Sequence, residues 1–149
     1  MRSIWLVAGL GLFLLGCNGQ KKATQAAAPS AAQGASALNL VGTEWLLEEL
    51  AGTSVVDNSK ATLAFPEAGK VAGNGSCNRF FGTVAIDGTS LKLSPLGSTR
   101  MACLSEAVSN QETSYLKALQ AATRYEWKDP YLYIYCDGFD KPLKFTKTK

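Results

Sequence analysis

From residue 44 onwards, apolar and polar residues alternate in short runs that turn-forming residues separate. Alternation with a period of two places successive side chains on opposite faces of a β-strand. The clearest run covers residues 131–136, where Leu132, Ile134 and Cys136 share one face and three tyrosines share the other. The pattern predicts strands over residues 44–50, 61–65, 70–74, 83–87, 91–93, 125–127, 131–136 and 143–145.

One segment has helical periodicity instead. Apolar residues recur every three or four positions between residues 108 and 122, which forms one stripe on a helix. Ser109 and Glu112 have the spacing of a capping box, in which a hydroxyl and a carboxylate satisfy free N–H groups at a helix start. We therefore predict a helix over residues 109–121.

These elements predict an α+β fold. The strands follow one another through short turns, and Asp87-Gly88 is a strong hairpin signal. Short strands that succeed one another in this way pair in an antiparallel sheet. We expect a rolled antiparallel sheet, a partly open β-barrel, packed against one main helix.

The N-terminal residues have the form of an export signal. Arg2 precedes an apolar stretch over residues 4–15, and that stretch is too short to cross a bilayer. A positive start followed by such a stretch is typical of a secretory signal peptide.

The apolar stretch ends in Leu14-Leu15-Gly16-Cys17, which resembles the lipobox of a bacterial lipoprotein. This resemblance implies that residues 1–16 are removed, that Cys17 is lipidated and that the lipid holds the protein on a membrane. The alternative is an ordinary signal peptide that is cut later, among the alanines at residues 26–28.

The next residues indicate a linker followed by one domain. Residues 18–37 are rich in alanine and contain no aromatic residue, so they cannot form a core and are predicted to be disordered. Residues 38–149 have the size of a single domain.

Charge and composition exclude several classes of function. The net charge of +3 is too small to indicate nucleic acid binding. The 149 residues contain no histidine, which excludes Ser–His and Cys–His nucleophile pairs and zinc sites built on histidine. We predict no catalytic site, no metal site and no cofactor.

The remaining cysteines predict one disulfide, since exported proteins meet an oxidising compartment. Cys77, Cys103 and Cys136 allow one bridge and leave one thiol free. Cys77 and Cys103 both lie in turn-rich sequence and are the favoured pair. Cys136 ends a strand pattern and is predicted to be a small buried residue.

Two segments carry a family resemblance. They are Gly73-Asn74-Gly75-Ser76-Cys77-Asn78-Arg79-Phe80-Phe81-Gly82 and Ser98-Thr99-Arg100-Met101-Ala102-Cys103. Together with Gly42-Thr43-Glu44-Trp45 before them and the predicted helix after them, they resemble the META domain, the HslJ-like heat-shock lipoprotein family, over residues 38–149. The resemblance implies a rolled antiparallel sheet closed by a helix, similar in architecture to a lipid-binding secretion pilotin. It also implies an envelope protein that is linked to stress and antibiotic tolerance.

Two groups of residues are candidates for binding. Asn78, Arg79 and Arg100 lie in the two motif segments, and arginines beside a rigid turn can hold an anion. The alternative is a disulfide-pinned knot of turns with a structural role only.

The second group is the stripe formed by Tyr131, Tyr133 and Tyr135, which is able to line a ligand pocket or to serve only in packing of the sheet.

The leading hypothesis is a non-enzymatic, membrane-anchored envelope module that binds an apolar ligand or a protein partner. A pilotin-like chaperone for an outer-membrane partner is one alternative. A hydrolase using Asp57, Glu67 or Asp87 is another. Asn18 follows the lipidated cysteine where an Asp retains Gram-negative lipoproteins at the inner membrane, so the periplasmic face of the outer membrane is the expected location.

Overall fold

A computed structural model describes residues 40–148 of the chain. The signal peptide predicted over residues 1–16, the lipidation site Cys17 and the linker predicted over residues 18–37 all lie outside the described residues. Among residues 40–148 there is no helix with the length and apolar character needed to cross a bilayer.

The described residues form a succession of strands with a helix, α1, between the seventh strand and the eighth. Helix α1 spans Glu106–Gln120. The strands are β1 (Glu44–Leu50), β2 (Thr53–Ser54), β3 (Ala61–Ala64), β4 (Lys70–Gly75), β5 (Arg79–Asp87), β6 (Ser90–Leu93), β7 (Gly97–Ser98), β8 (Ala122–Lys128), β9 (Tyr131–Cys136) and β10 (Leu143–Lys147).

The sheet closes into an antiparallel barrel of eight strands. Around the barrel the order is β1, β3, β4, β5, β6, β8, β9 and β10, while β2 and β7 pair only with β1 and β5. Closure comes from β1 and β10, in which Trp45 pairs with Lys147 and Glu49 with Lys144. The expected partly open barrel is therefore wrong. The closing strands lie at opposite ends of the domain sequence, and no local pattern predicts their pairing.

Large apolar side chains on the inward faces of the strands fill the barrel. An eight-stranded barrel is just wide enough inside for side chains to fill it. The fully buried side chains that the strands and their flanking residues contribute are Leu40, Trp45, Leu47, Leu63, Phe65, Phe80, Leu91, Leu132, Ile134 and Phe145. The barrel interior is consequently a packed core.

Helix α1 covers one end of this core. Tyr115 and Leu119 point inward and are fully buried. The ring of Tyr115 meets that of Phe80 edge-on at 5.9 Å between centroids, and its hydroxyl donates to the carbonyl of Thr62 at 3.1 Å. Burial raises the pKa of Tyr115 well above its ordinary value, so the hydroxyl keeps its proton and remains a donor.

Strand register distinguishes the two ends of the barrel. At one end Gly75, the last residue of β4, lies against Glu112 of α1. The opposite end of β4 follows Gly69, which lines a small apolar cavity together with Leu40, the first described residue. We call these ends the α1 end and the Leu40 end. Leu40 thus lies at the end of the barrel away from α1.

Helix α1 begins earlier than its sequence predicts. The N-cap is Ser105, whose Oγ accepts from the N–H of Val108 at 3.3 Å, so the helix starts before the predicted Ser109. The predicted capping box of Ser109 and Glu112 is wrong, because the carboxylate of Glu112 points towards the turn between β4 and β5.

The strands agree with the sequence where alternation is unbroken. β1 and β9 have the predicted bounds. β5 starts at Arg79 rather than residue 83 and runs through Gly82, where a Cβ would lie 2.8 Å from Leu96. A side chain here would displace that of Leu96, and a glycine in a strand hides the alternation.

Two phenylalanines test the assignment of the core. Replacing the fully buried Phe145 by Ala should lower the free energy of unfolding by about 3–5 kcal/mol, because the change removes apolar contacts and leaves a cavity. Phe81 lies on the outer face of β5 and is 64% exposed, so Phe81→Ala should cost about 1 kcal/mol or less. Urea denaturation of both variants measures the difference, and equal losses would contradict the inward register of β10.

Candidate functional site

The turn between β4 and β5 is a rigid loop that presents backbone N–H groups towards α1. Gly75 N–H donates to the carbonyl of Asn78 at 2.7 Å, and Ser76 N–H donates to Oδ1 of Asn74 at 2.8 Å. Ser76 has a φ of 109°, a left-handed conformation that this side-chain bond helps to hold.

The carboxylate of Glu112 accepts the hydrogen bonds that this turn offers. Its Oε2 accepts from the N–H groups of Cys77 at 3.0 Å and Asn78 at 2.5 Å, and its Oε1 accepts from Nδ2 of Asn78 at 2.8 Å. Glu112 is 9% exposed, and no cation pairs with it among residues 40–148. A Cβ on Gly75 would lie 2.7 Å from Oε2, which explains the glycine there.

Asn78 extends this network to the segment after β7. Its Oδ1 accepts from Oγ1 of Thr99 at 2.9 Å and from the N–H of Met101 at 2.8 Å. Because Oδ1 faces two donors and Nδ2 faces acceptors, the orientation of the amide is fixed. We call Glu112, Asn78 and the N–H groups they bind the Glu112–Asn78 hub. The hub joins α1, the β4–β5 turn and the segment that follows β7.

Gln111, the neighbour of Glu112, ties a further loop to the hub. Its Oε1 accepts from the N–H of Val56 at 2.6 Å, and its Nε2 donates to Oγ of Ser59 and Oγ of Ser76, each at 2.7 Å. The sequence pattern did not indicate a role for Gln111, and it wrongly assigned Glu112 to a capping box. The available signal is that two adjacent polar residues interrupt the buried side of an amphipathic helix.

The structure joins Cys77 and Cys103, the pair that the sequence favoured. Their Cα atoms are 5.7 Å apart, and the bridge links the β4–β5 turn to the residues that lead into α1. Cys136 is free and buried. Burial, with a smaller contribution from Asp137, raises the pKa of the Cys136 thiol to about 12, so the thiolate is scarce at neutral pH.

The two candidate arginines do not share a site. Arg79 lies on the outer face of β5 and lines a shallow trough with Phe81 and the small residues of β3 and β4. Arg100 lines a different cleft, between α1 and the segment after β7. Both side chains are exposed, and neither belongs to the hub. Of the three candidates in the motif, only Asn78 is a member of the hub.

The tyrosine stripe faces away from the barrel interior. The rings of Tyr131, Tyr133 and Tyr135 lie on the outer face of β9, opposite the buried side chains of the same strand. Each ring is covered by a cation, with Arg124 at 3.4 Å from the centroid of Tyr135 and Lys144 at 4.5 Å from that of Tyr131. The stripe therefore packs on the outer surface, and its interpretation as a pocket lining is not supported.

The acids named for a hydrolase lie in separate parts of the sequence. Asp57, Glu67 and Asp87 are exposed; the first two lie in the segments that join β2 to β3 and β3 to β4, and Asp87 is the last residue of β5. No hydrogen bond or ion pair joins any two of them within the described part of the chain. Residues 40–148 as a whole contain no group of three or more acids or cysteines that would suit a metal ion.

Asn78, Cys77 and Met101 of the hub lie in the sequence segments that carry the family resemblance. The sequence model of the META domain matches residues 38–149. The chain belongs to the META domain family. No curated protein matches it significantly.

Two solved structures are similar to this META domain protein. One is the NMR structure of a protein from Burkholderia xenovorans, with 25% sequence identity and a TM-score of 0.61. The match covers 85% of this chain and 95% of that protein's chain. A second NMR structure is 21% identical, covers 75% of this chain and 94% of its own, and has a TM-score of 0.62. Both similarities concern the fold. The matched region makes up nearly the whole of each of these two chains.

The hub predicts a large effect of Glu112 on stability. Glu112→Ala should lower the free energy of unfolding by about 3 kcal/mol, because the N–H groups of Cys77 and Asn78 lose a charged acceptor. Glu106→Ala on the same helix is the matched control. Glu106 is exposed in the first turn, so its loss should cost about 0.5 kcal/mol. Urea denaturation with the disulfide intact checks both values, and similar losses would show that the hub is not a major source of stability.

The carboxylate of Glu126, on the outer face of β8, is predicted to titrate at an unusually low pH. Hydrogen bonds from Lys128 and Arg124 lower the pKa of Glu126 from 4.5 to about 2. Because the folded-state pKa is the lower one, this carboxylate favours the folded state above about pH 4.5, and the contribution is lost as the pH falls through about 2. Lys128→Gln should move the pKa of Glu126 back towards 4.5, measured by NMR titration of its carboxyl carbon. The exposed Lys92→Gln should leave it unchanged, and an unshifted pKa in the Lys128 variant would contradict the assignment.

Proposed function

We propose that this chain is a lipid-anchored protein of the bacterial cell envelope that binds a protein partner and catalyses no reaction. The lipobox at residues 14–17 supports an anchor on Cys17, and Asn18 supports the periplasmic face of the outer membrane. Membership of the META domain family is consistent with a role in tolerance of envelope stress.

The observation that carries the proposal is an exposed apolar loop at the α1 end. Residues 99–104, which we call the distal loop, expose 62% of Met101 and the whole of Leu104. Large apolar side chains that water surrounds cost free energy, and an exposed apolar cluster is typical of an interaction surface. Cys77, Ala102 and Val108 line a shallow cavity beside them.

The distal loop is held in place before any partner arrives. The disulfide fixes Cys103, and Asn78 of the hub binds both Thr99 and Met101. A loop that is already ordered loses little conformational entropy on binding, which favours affinity. The rigidity of the loop therefore supports a role in recognition.

The position of the loop suits a tethered protein. A flexible linker over residues 18–37 would span about 25 Å and would join the barrel at the Leu40 end. The distal loop lies at the opposite end and would face away from the membrane. A pilotin-like chaperone would be one form of this arrangement.

The other hypotheses have less support. Large side chains fill the barrel interior, which favours a protein partner over a lipid cargo enclosed there. Acid–base hydrolysis of a glycoside needs two carboxyl groups across one site, and the exposed Asp57, Glu67 and Asp87 give a carboxylate-dependent hydrolase no further support.

Site-specific cross-linking in the envelope tests the proposal. A photoreactive amino acid at Leu104 should give a discrete cross-linked species, because this position is at the centre of the proposed surface. The same amino acid at Lys92, which is exposed on β6, is the matched control and should give none.

Two further variants separate the parts of the proposal. Met101→Ser should weaken the Leu104 cross-link several-fold, since it removes the neighbouring apolar contact. Cys17→Ser should release the protein from membranes. Equal cross-linking from residues 92 and 104, or none from residue 104, would contradict partner binding, and unchanged membrane partition of the Cys17 variant would contradict the anchor.

A further inference from the structure

A second surface feature adjoins the distal loop. A cleft of about 440 Å³ lies between α1 and the segment after β7, and we call it the α1 cleft. Arg100 forms part of one wall, Lys117 and Leu116 form part of the other, and Glu112 and Asn78 of the hub also line it. The cleft is a separate depression from the one beside Leu104.

The α1 cleft carries two cations and one carboxylate, and therefore a net positive charge. Arg100 and Lys117 are exposed, and neither side chain has an ion pair or a hydrogen bond within residues 40–148. Glu112 is the acid that lines the cleft, and its two carboxylate oxygens already accept three hydrogen bonds from Cys77 and Asn78. Its lone pairs are directed at the turn, so the two cations remain available to an anion.

The cationic pair contrasts with the outer face of the barrel. There Arg124 and Lys128 bind Glu126, and Lys144 binds Glu48 and Glu49. The charges of these six residues are satisfied within the protein. The charges in the α1 cleft are complementary to a group that the protein does not supply.

The wall of the cleft also offers an apolar contact. Leu116 is half-buried and lines the cleft together with the two cations. Most other lining residues are exposed, so the cleft is open and does not enclose a long acyl chain. An apolar contact beside two cations, in an open cleft, fits a short segment of peptide better than a lipid tail.

We propose that the α1 cleft binds a carboxylate of a peptide segment, with the carboxylate at Arg100 and Lys117 and the neighbouring apolar side chain on Leu116. Arginine forms paired hydrogen bonds with carboxylates, and lysine adds a second positive charge. The inference rests on the proposed function, because a partner bound to the distal loop would reach this cleft next.

A titration with a minimal probe tests the cleft directly. N-acetyl-leucine carries one carboxylate beside one apolar side chain, and N-acetyl-leucine amide is the same molecule without the charge. In NMR spectra of the domain over residues 38–149, the acid should cause saturable shifts at Arg100, Leu116 and Lys117, with a dissociation constant in the millimolar range. The amide should bind at least about tenfold more weakly, because one lost charge-assisted contact is worth about that factor.

Variants of the two cations provide the control. Arg100→Gln with Lys117→Gln should abolish saturable binding of N-acetyl-leucine, while Lys92→Gln on β6 should leave it unchanged. All three side chains are exposed and lie outside the hub, so the fold is retained. Equal shifts with the acid and the amide, or unchanged binding in the double variant, would overturn the proposal.

Octanoate distinguishes a peptide from a fatty acid. If octanoate binds more tightly than N-acetyl-leucine, the cleft recognises a lipid and the peptide assignment is wrong. The Leu104 cross-link is read separately in the double variant. A cross-link that keeps its full yield without Arg100 and Lys117 would overturn the role of the cleft and leave the proposed function intact. Absence of the cross-link in the unaltered chain would instead contradict the proposed function itself.

Discussion

The arrangement of the α1 end depends on one buried carboxylate. Removing Glu112 from water is costly, and no cation offsets that cost among the described residues. The N–H groups of Cys77 and Asn78 and the amide of Asn78 offset it instead, through hydrogen bonds of 2.5–3.0 Å. Such bonds to a charged acceptor are about twice as strong as neutral ones. The turn, the helix and the segment after β7 are therefore positioned by the same charge.

The hub complements a core that the barrel forms without it. The core is drawn from the inward faces of the strands and from Tyr115 and Leu119 of α1. Polar groups at the α1 end are satisfied by the hub, and no buried side-chain nitrogen or oxygen in residues 40–148 lacks a hydrogen bond. Helix α1 thus contributes Tyr115 and Leu119 to the apolar core, while its Gln111 and Glu112 bind the turns through hydrogen bonds.

Local sequence predicts the parts of this fold whose partners are close. Strands β1 and β9 have the predicted bounds because alternation inside each segment is uninterrupted. Closure of β1 on β10 was not predicted, since it joins residues about a hundred positions apart. The role of Glu112 was missed for a related reason. Its spacing from Ser109 imitates a capping box, whereas its true partners are Cys77 and Asn78, far away in the sequence.

A structural knot and a binding site were alternatives for the motif segments, and the structure separates their residues into two sets. Asn78 and Glu112 use their hydrogen-bonding groups on one another and on the backbone, so they have little left for a ligand. Arg100, Met101 and Leu104 have exposed side chains that the interior does not require. A loop that contributes nothing to the core is nevertheless fixed by a disulfide and by the hub. A fixed and exposed loop of this kind is what the proposed recognition of a partner would require.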